Sequence, residues 1–243
     1  MKVLIKVSGK VIDNENELKK FITAAKKYYS KDKVLIVHGG GKQVSRWSEK
    51  FGIKPKFVDG LRFTDESVLE VVVAVLCGVV NKRLVCEFLK NGIKTIGISC
   101  IDDKILDCVI NKKLGFVGGK VKEVNDEIIK YLWDKGIWVV LSSVGLSGKK
   151  VVNINADDVA YALAEKLKVD KLIFLTDKEG VLDKEGKVIK ELNVKDIDKL
   201  IKEGVVTEGM VAKLNSIKKA VLGGVKNIYV SNSLVSKGTV IRK

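Results

Sequence analysis

Six short apolar runs, at 3–7, 34–38, 95–99, 138–142, 171–176 and 227–231, are rich in Val, Ile and Leu. Between them lie longer stretches with amphipathic helical spacing, near 15–29, 42–51, 65–91, 123–136, 156–168, 194–203 and 209–223. This rhythm narrows the choice of fold more than any other feature. Runs that are apolar throughout suit strands buried on both faces. Strands separated by helices of that length become parallel neighbours joined by crossovers. The expected fold is therefore α/β: a three-layer αβα sandwich around a mostly parallel open sheet. At 243 residues the chain suits one large domain, or two tightly joined lobes.

Two segments break the rhythm. Residues 101–119 (IDDKILDCVINKKLGFVGG) predict a β-hairpin excursion over the sheet, a candidate for part of a substrate lid. Residues 183–187 (DKEGK) predict a polar turn between two apolar runs. There is one proline, Pro55, and the chain has neither a low-complexity linker nor an internal repeat.

Composition excludes several classes of function. No run of about eighteen apolar residues is present, so no membrane span is expected. The start, MKVLIKVSGK, is interrupted by Lys6 and lacks a small-residue cleavage site, so it reads as a first strand and not as a signal peptide. Together these point to a cytoplasmic protein. Cys77, Cys86, Cys100 and Cys108 are irregularly spaced and His38 is the sole histidine, which argues for reduced, mostly buried thiols and against a zinc site. The net charge is +15, yet only Arg46, Arg62, Arg83 and Arg242 among the 45 basic residues are arginines. Base readout leans on arginine forks, so nucleic acid is not the expected partner. A lysine-rich surface still attracts anionic substrates or an acidic protein.

In open α/β sheets ligands bind beyond the carboxyl ends of the strands, and here those ends carry distinctive residues. The first run ends Lys6-Val7-Ser8-Gly9-Lys10. Lys6 points away from the face of Ile5 and Val7, and burying it calls for an anion. Ser8-Gly9 makes a small turn where backbone N–H groups can meet phosphate. The second run ends His38-Gly39-Gly40-Gly41, a backbone-lined anion site before a helix, and His38 reads as structural. In Gly60-Leu61-Arg62-Phe63-Thr64-Asp65, Thr64 or Asp65 can cap the next helix, and Arg62 is a candidate bidentate clamp on a carboxylate. Asn153 and Asp157 lie in the polar opening of another helix. Asp177 to Leu182 follow the fifth run, and 205–213 precede the last helix. Lys6 and Lys213 frame the set as fixed cations, an arrangement suited to phosphoryl transfer without a Walker loop.

In order, Lys6-x-x-Gly9, HGGG at 38–41, GLRFTD at 60–65, NINAD at 153–157, TDKEGVL at 176–182 and GMVAK at 209–213 resemble the amino acid kinase family, and within it the acetylglutamate kinase branch. The resemblance runs from about residue 2 to 241. It implies transfer of the γ-phosphoryl group of ATP to the side-chain carboxylate of N-acetyl-L-glutamate. It also implies a single kinase domain over 1–243, with an acceptor lobe over about 1–150 and an ATP lobe over 151–243. Lys6 and Lys213 resemble the family's transition-state lysines, and Asp157 the aspartate that organises them. Gly40, Gly41, Arg62 and Asn153 resemble its acceptor-binding residues. Lys6, Ser8, Gly9, Asp177, Gly180, Val181, Leu182, Thr207, Gly209, Met210 and Lys213 resemble its nucleotide-binding residues, with Mg²⁺ held mainly by ATP and by no dedicated protein ligands.

Ser8 departs from the Gly-Gly of many relatives and is similar to the uridylate kinase branch, whose other motifs are absent. The chain starts close to its first strand, without the N-terminal helix of arginine-inhibited hexamers, which implies a homodimer without arginine feedback. A sister kinase acting on glutamate or 2-aminoadipate linked to an acidic carrier protein, in lysine or arginine biosynthesis, is the alternative. The +15 charge and Asn81-Lys82-Arg83-Leu84-Val85 favour it, whereas NINAD and Arg62-Phe63 depart from its pattern.

Overall fold

The structure, a computed structural model, describes residues 1–58, 60–206, 208–236 and 238–243, the surroundings of residues 208, 209 and 212 excepted. Strand β1 (Lys2–Val7) runs through Ser8 into helices α1 (Gly9–Asp13) and α2 (Glu15–Ala25). Strand β2 (Lys33–His38) runs through Gly39-Gly40 into α3 (Gly41–Lys50). A small hairpin of β3 (Phe57–Val58) and β4 (Leu61–Arg62) comes before α4 (Glu66–Val73), a π-helical stretch (Ala74–Val80), α5 (Asn81–Lys90) and β5 (Thr95–Ser99). The chain then forms β6 (Leu106–Ile110) and β7 (Val117–Val124), passes through α6 (Glu127–Asp134) to β8 (Trp138–Ser142), and makes β9 (Val144–Ser147) and β10 (Lys150–Ile154). Helix α7 (Ala156–Leu167), β11 (Lys171–Leu175), β12 (Glu191–Asn193), α8 (Ile197–Lys202), α9 (Glu208–Leu222), β13 (Ile228–Ser231) and β14 (Thr239–Arg242) follow.

The main sheet has eight strands in the order β12-β14-β13-β11-β1-β2-β8-β5. The six runs legible in the sequence are its parallel centre, β13, β11, β1, β2, β8 and β5. Strand β14 pairs antiparallel to β13 and parallel to β12, so a short reversed pair closes that edge. Alternate side chains of each central strand go to opposite layers. Val3, Ile5, Val7, Val34, Ile36 and Val140 join the core under α1 to α5, with Phe21, Phe88 and Trp138 stacked edge to face. Leu4, Leu35, Val37, Val139, Leu141, Leu172 and Phe174 join the core under α6 to α9. Lys6 shares the second face with Leu4, so a strand at the centre of the sheet aims an ammonium at α7 and α9.

Three expectations change in detail. The 101–119 hairpin exists as β6–β7, but it closes with β9 and β10 into a four-stranded barrel instead of lying free over the sheet. The barrel was hidden because β9 and β10 are short and are interrupted by the Gly- and Lys-containing stretch GLSGKK at 145–150, so no long apolar run marks them. The 65–91 stretch is continuous, but its centre is π-helical. Of the cysteines, Cys100 and Cys108 are buried, Cys77 is half-buried and Cys86 is exposed. The 183–187 turn is as expected, with Leu182 and Val188 bridged antiparallel.

Candidate active site

Asn155 caps α7, its side chain accepting from the Asp157 N–H at 2.9 Å, which holds Asp157 in the first helical turn. Lys6 Nζ lies 2.7 Å from Asp157 Oδ1, and Lys213 Nζ, from α9, lies 3.2 Å from Oδ2. All three residues are nine-tenths or more buried. Burial pushes the Asp157 carboxyl up, but the two ammoniums outweigh it and hold the group at about 2. Burial, and then the neighbouring Lys6, push the Lys213 ammonium down to about 8, with Asp157 offsetting only part of the effect. Lys213 Nζ also sits 5.2 Å from the centre of the Phe174 ring, the residue opposite Lys6 on β11. Two cations thus share one carboxylate, leaving one positive charge in a dry setting.

The turns after β1 and β2 meet side by side. A Cβ on Gly9 would stand 3.1 Å from Gln43 Oε1 and 3.5 Å from the Gly40 Cα. A Cβ on Gly40 would stand 2.7 Å from Leu76 Cδ2, in the π-helical stretch. A side chain at Gly40 would have to displace the end of Leu76, while its φ of 171° is ordinary extended backbone. Buried Gln43 ties the turns together by donating to the Gly9 carbonyl at 3.2 Å.

Arg62, at the end of β4, is buried, and its guanidinium lies 4.8 Å from the Phe57 ring centre. Its Nη2 donates to the Gly41 carbonyl and to Ser45 Oγ, both at 2.7 Å, while its buried Nη1 has no protein partner. Asn153 donates from Nδ2 to Thr64 Oγ1 at 3.3 Å, and Thr64 donates in turn to the Arg62 carbonyl at 3.2 Å. Asp65 caps α4 by accepting from the Val68 N–H.

A cavity of about 780 Å³ gathers Lys6, Gly9, Gly40, Gly41, Arg62 and Asn153. Val44, Val72, Leu76, Val117 and Val121 give it apolar lining. It is also lined by Asn111, Lys120, Asp158, Tyr161 and Lys219, which the motifs did not single out. Asp158 accepts from Ser216 Oγ at 3.1 Å and lies 3.6 Å from Lys219 Nζ, a second polar link between α7 and α9. The doublet Asp157-Asp158 in the sequence was the available signal for it. The cavity is lined by residues from both sides of position 150.

The remaining candidates lie apart from this lining. Ser8 caps α1, and its N–H donates to the Leu175 carbonyl. Asp177 is exposed beyond β11, paired with Lys10 at 2.6 Å. Gly180 packs against Thr239 and Val188. Val181 is fully buried, its N–H donating to Thr239 Oγ1 and its carbonyl accepting from Ile189. Met210 is half-buried against the α7–α9 core. Thr207 lies outside the described residues, and Gly209 is described only by its place in α9. His38 is fully buried and apart from the cavity, between the Gly39 carbonyl and the Asn81 amide. Burial pushes it down to about 4, so it stays neutral near pH 7.

The geometry is that of an anion site beside fixed cations. The model of the amino acid kinase family matches residues 1–232. The chain is 37% identical to the acetylglutamate kinase of Endomicrobium trichonymphae, over 99% of this chain and 98% of that one. It is 38% identical to the acetylglutamate kinase of Methanopyrus kandleri, over 98% and 99%. A crystal structure of a protein from Streptococcus mutans UA159 superposes with a TM-score of 0.89 at 28% identity, covering 99% of this chain and 98% of that one. With that match across nearly its whole length, the chain belongs to the amino acid kinase family.

Proposed function

We propose that the protein transfers the γ-phosphoryl group of ATP to the side-chain carboxylate of N-acetyl-L-glutamate, giving N-acetyl-L-glutamyl 5-phosphate for arginine biosynthesis. The relatives named acetylglutamate kinase support the reaction. The observation that carries the site reading is Arg62: a buried guanidinium in the cavity lining, with one nitrogen spent on the protein and the other free for a carboxylate.

In this reading Arg62 and Asn153 grip the α-carboxylate, and Gly40 and Gly41 bring backbone against the acyl-amino group. The side-chain carboxylate, ionised at pH 7, attacks the γ-phosphorus in line, a P–O bond to ADP breaks as the new one forms, and no general base is needed. Lys6 and Lys213 neutralise charge on the moving group, and Asp157 holds both ammoniums where that charge appears. Ser8, Gly9, Asp177, Gly180, Val181, Leu182, Thr207, Gly209 and Met210 form the nucleotide side, with Val181 anchoring its loop from within. The acceptor lobe spans about 1–150 and the nucleotide lobe 151–243.

Among the described residues no three His, Cys, Asp or Glu side chains cluster as a metal cage, and both Asp157 oxygens face lysines. Such a donor set suits Mg²⁺ held by the phosphates, where it would neutralise charge on the triphosphate. The same reading takes the working form as a cytoplasmic homodimer, and no helix among the described residues is long and apolar enough to cross a membrane.

The test is ADP release with Mg-ATP and N-acetyl-L-glutamate, against free glutamate as the blank. Turnover with the acetylated substrate alone is expected. A folded protein that binds ATP but leaves N-acetyl-L-glutamate untouched would overturn this acceptor and move attention to the carrier-linked substrate.

A further inference from the structure

We propose that Lys10 is a phosphate-contacting residue for the nucleotide, its ammonium resting on Asp177 in the free protein and passing to the triphosphate when ATP binds. The inference rests on the proposed nucleotide side of the site. Strands β1 and β11 are parallel neighbours with Val7 opposite Leu175, and the Ser8 N–H donates to the Leu175 carbonyl at 3.0 Å. The turn carrying Ser8-Gly9-Lys10 is thereby fixed beside the one carrying Thr176-Asp177. Gly9, one residue before Lys10, already lines the cavity with Lys6.

Charge balance calls for a further cation there. Lys6 and Lys213 are both engaged by Asp157, so the buried cluster offers a single net positive charge. A magnesium-bound triphosphate retains a charge of about −2, and the attacking carboxylate adds another. Lys120 of β7 and Lys219 of α9 line the cavity, and Lys10 adds a cation from the β1 side, one residue past the lining Gly9. Its Nζ is 2.6 Å from Asp177 Oδ2, with the two side chains 51% and 36% exposed. Ion pairs this accessible are weak and exchange readily. The other Asp177 oxygen accepts from Thr176 Oγ1 at 3.1 Å, so the resting acceptor keeps its place when the ammonium leaves. No motif marks Lys10, which follows the glycine and looks like one more surface lysine in a lysine-rich chain.

The experiment compares Lys10→Met and Lys10→Arg with the parent protein, titrating Mg-ATP and AMP separately by calorimetry without acceptor. Lys10→Met should weaken ATP by about tenfold or more, the scale of a lost charge-assisted hydrogen bond, and AMP by less than about twofold. Lys10→Arg should restore most of the ATP affinity. If Lys10 serves only to tie the Asp177 loop, both nucleotides weaken alike, and that result, or no change in either, overturns the inference. A melting temperature of Lys10→Met within about 2 °C of the parent excludes misfolding, as a surface substitution should allow. An ATP-selective loss without turnover of N-acetyl-L-glutamate upholds Lys10 and removes the proposed acceptor. Turnover without the ATP-selective loss does the reverse. A parent protein that binds no ATP overturns both.

Discussion

Asp157→Asn tests the buried cluster directly, because asparagine keeps the shape and removes the charge. In the parent, one carboxylate meets two ammoniums at 2.7 and 3.2 Å in a site less than a tenth exposed. Without the charge, two like cations face each other across an amide whose N–H₂ is itself a donor. Breaking a buried pair from one side costs about 3–5 kcal/mol. At this chain length each kcal/mol moves Tm by about 2–4 °C, so a fall of about 6–20 °C is expected at pH 7.

The pH dependence makes the test specific. Asp157 holds the Lys213 ammonium up, while burial and Lys6 push it down to about 8 from an ordinary 10.5. Removing Asp157 drops that value further in the folded state and leaves the unfolded state unchanged. Between the two values the unfolded chain binds more protons, so stability rises with pH. In the variant the rise starts below pH 8, and in the parent the same group contributes a rise only from about pH 8 upward. Melting curves from pH 6 to 9 should therefore converge as pH increases. A variant within about 2 °C of the parent at pH 7, or two curves running parallel, would refute the reading of Asp157 as the counter-charge to both lysines.

Two further outcomes follow from the same geometry. Arg62→Lys should raise KM for the acceptor about tenfold or more and leave KM for ATP within about twofold, because one ammonium cannot serve Gly41, Ser45 and a substrate carboxylate together; an unchanged acceptor KM would place the carboxylate elsewhere. The kcat/KM for ATP should fall on the alkaline side with a midpoint near 8, where Lys213 passes from about 90% protonated at pH 7 to about 10% at pH 9. Bound phosphates favour the ammonium, so the limb in kcat should lie higher, and a kcat/KM profile flat to pH 9.5 would remove the need for charge on Lys213.

The parallel centre of the sheet was legible because its strands are buried on both faces and so carry unbroken apolar runs. The direction of Lys6 followed from strand periodicity alone, and a central strand with apolar layers on both sides leaves an ammonium nowhere to go but toward a counter-charge. The barrel of β6, β7, β9 and β10 was only half legible, since its strands are short and partly solvated. The cavity lining of Asn111, Lys120, Tyr161 and Lys219 carried no local signal, because each is an ordinary helix, strand or loop residue until tertiary packing brings it to the cavity. Val181 shows what a motif position leaves unsaid: its side chain and both backbone polar groups are used inside the protein, where they hold the loop.

The pairing of β1 with both β2 and β11 also bears on how the molecule is made. Val3 finds its first neighbour at Val34 but its second only at Lys171, and Lys6 meets Lys213 only once α9 has docked. High contact order of this kind slows folding, and the central strand must wait, half-paired, while the ribosome finishes the chain. A product that ends before α9 lacks Lys213 and cannot assemble the buried cluster of Lys6, Asp157 and Lys213. For a nascent chain with so apolar a first strand, that interval is the period of greatest exposure to aggregation.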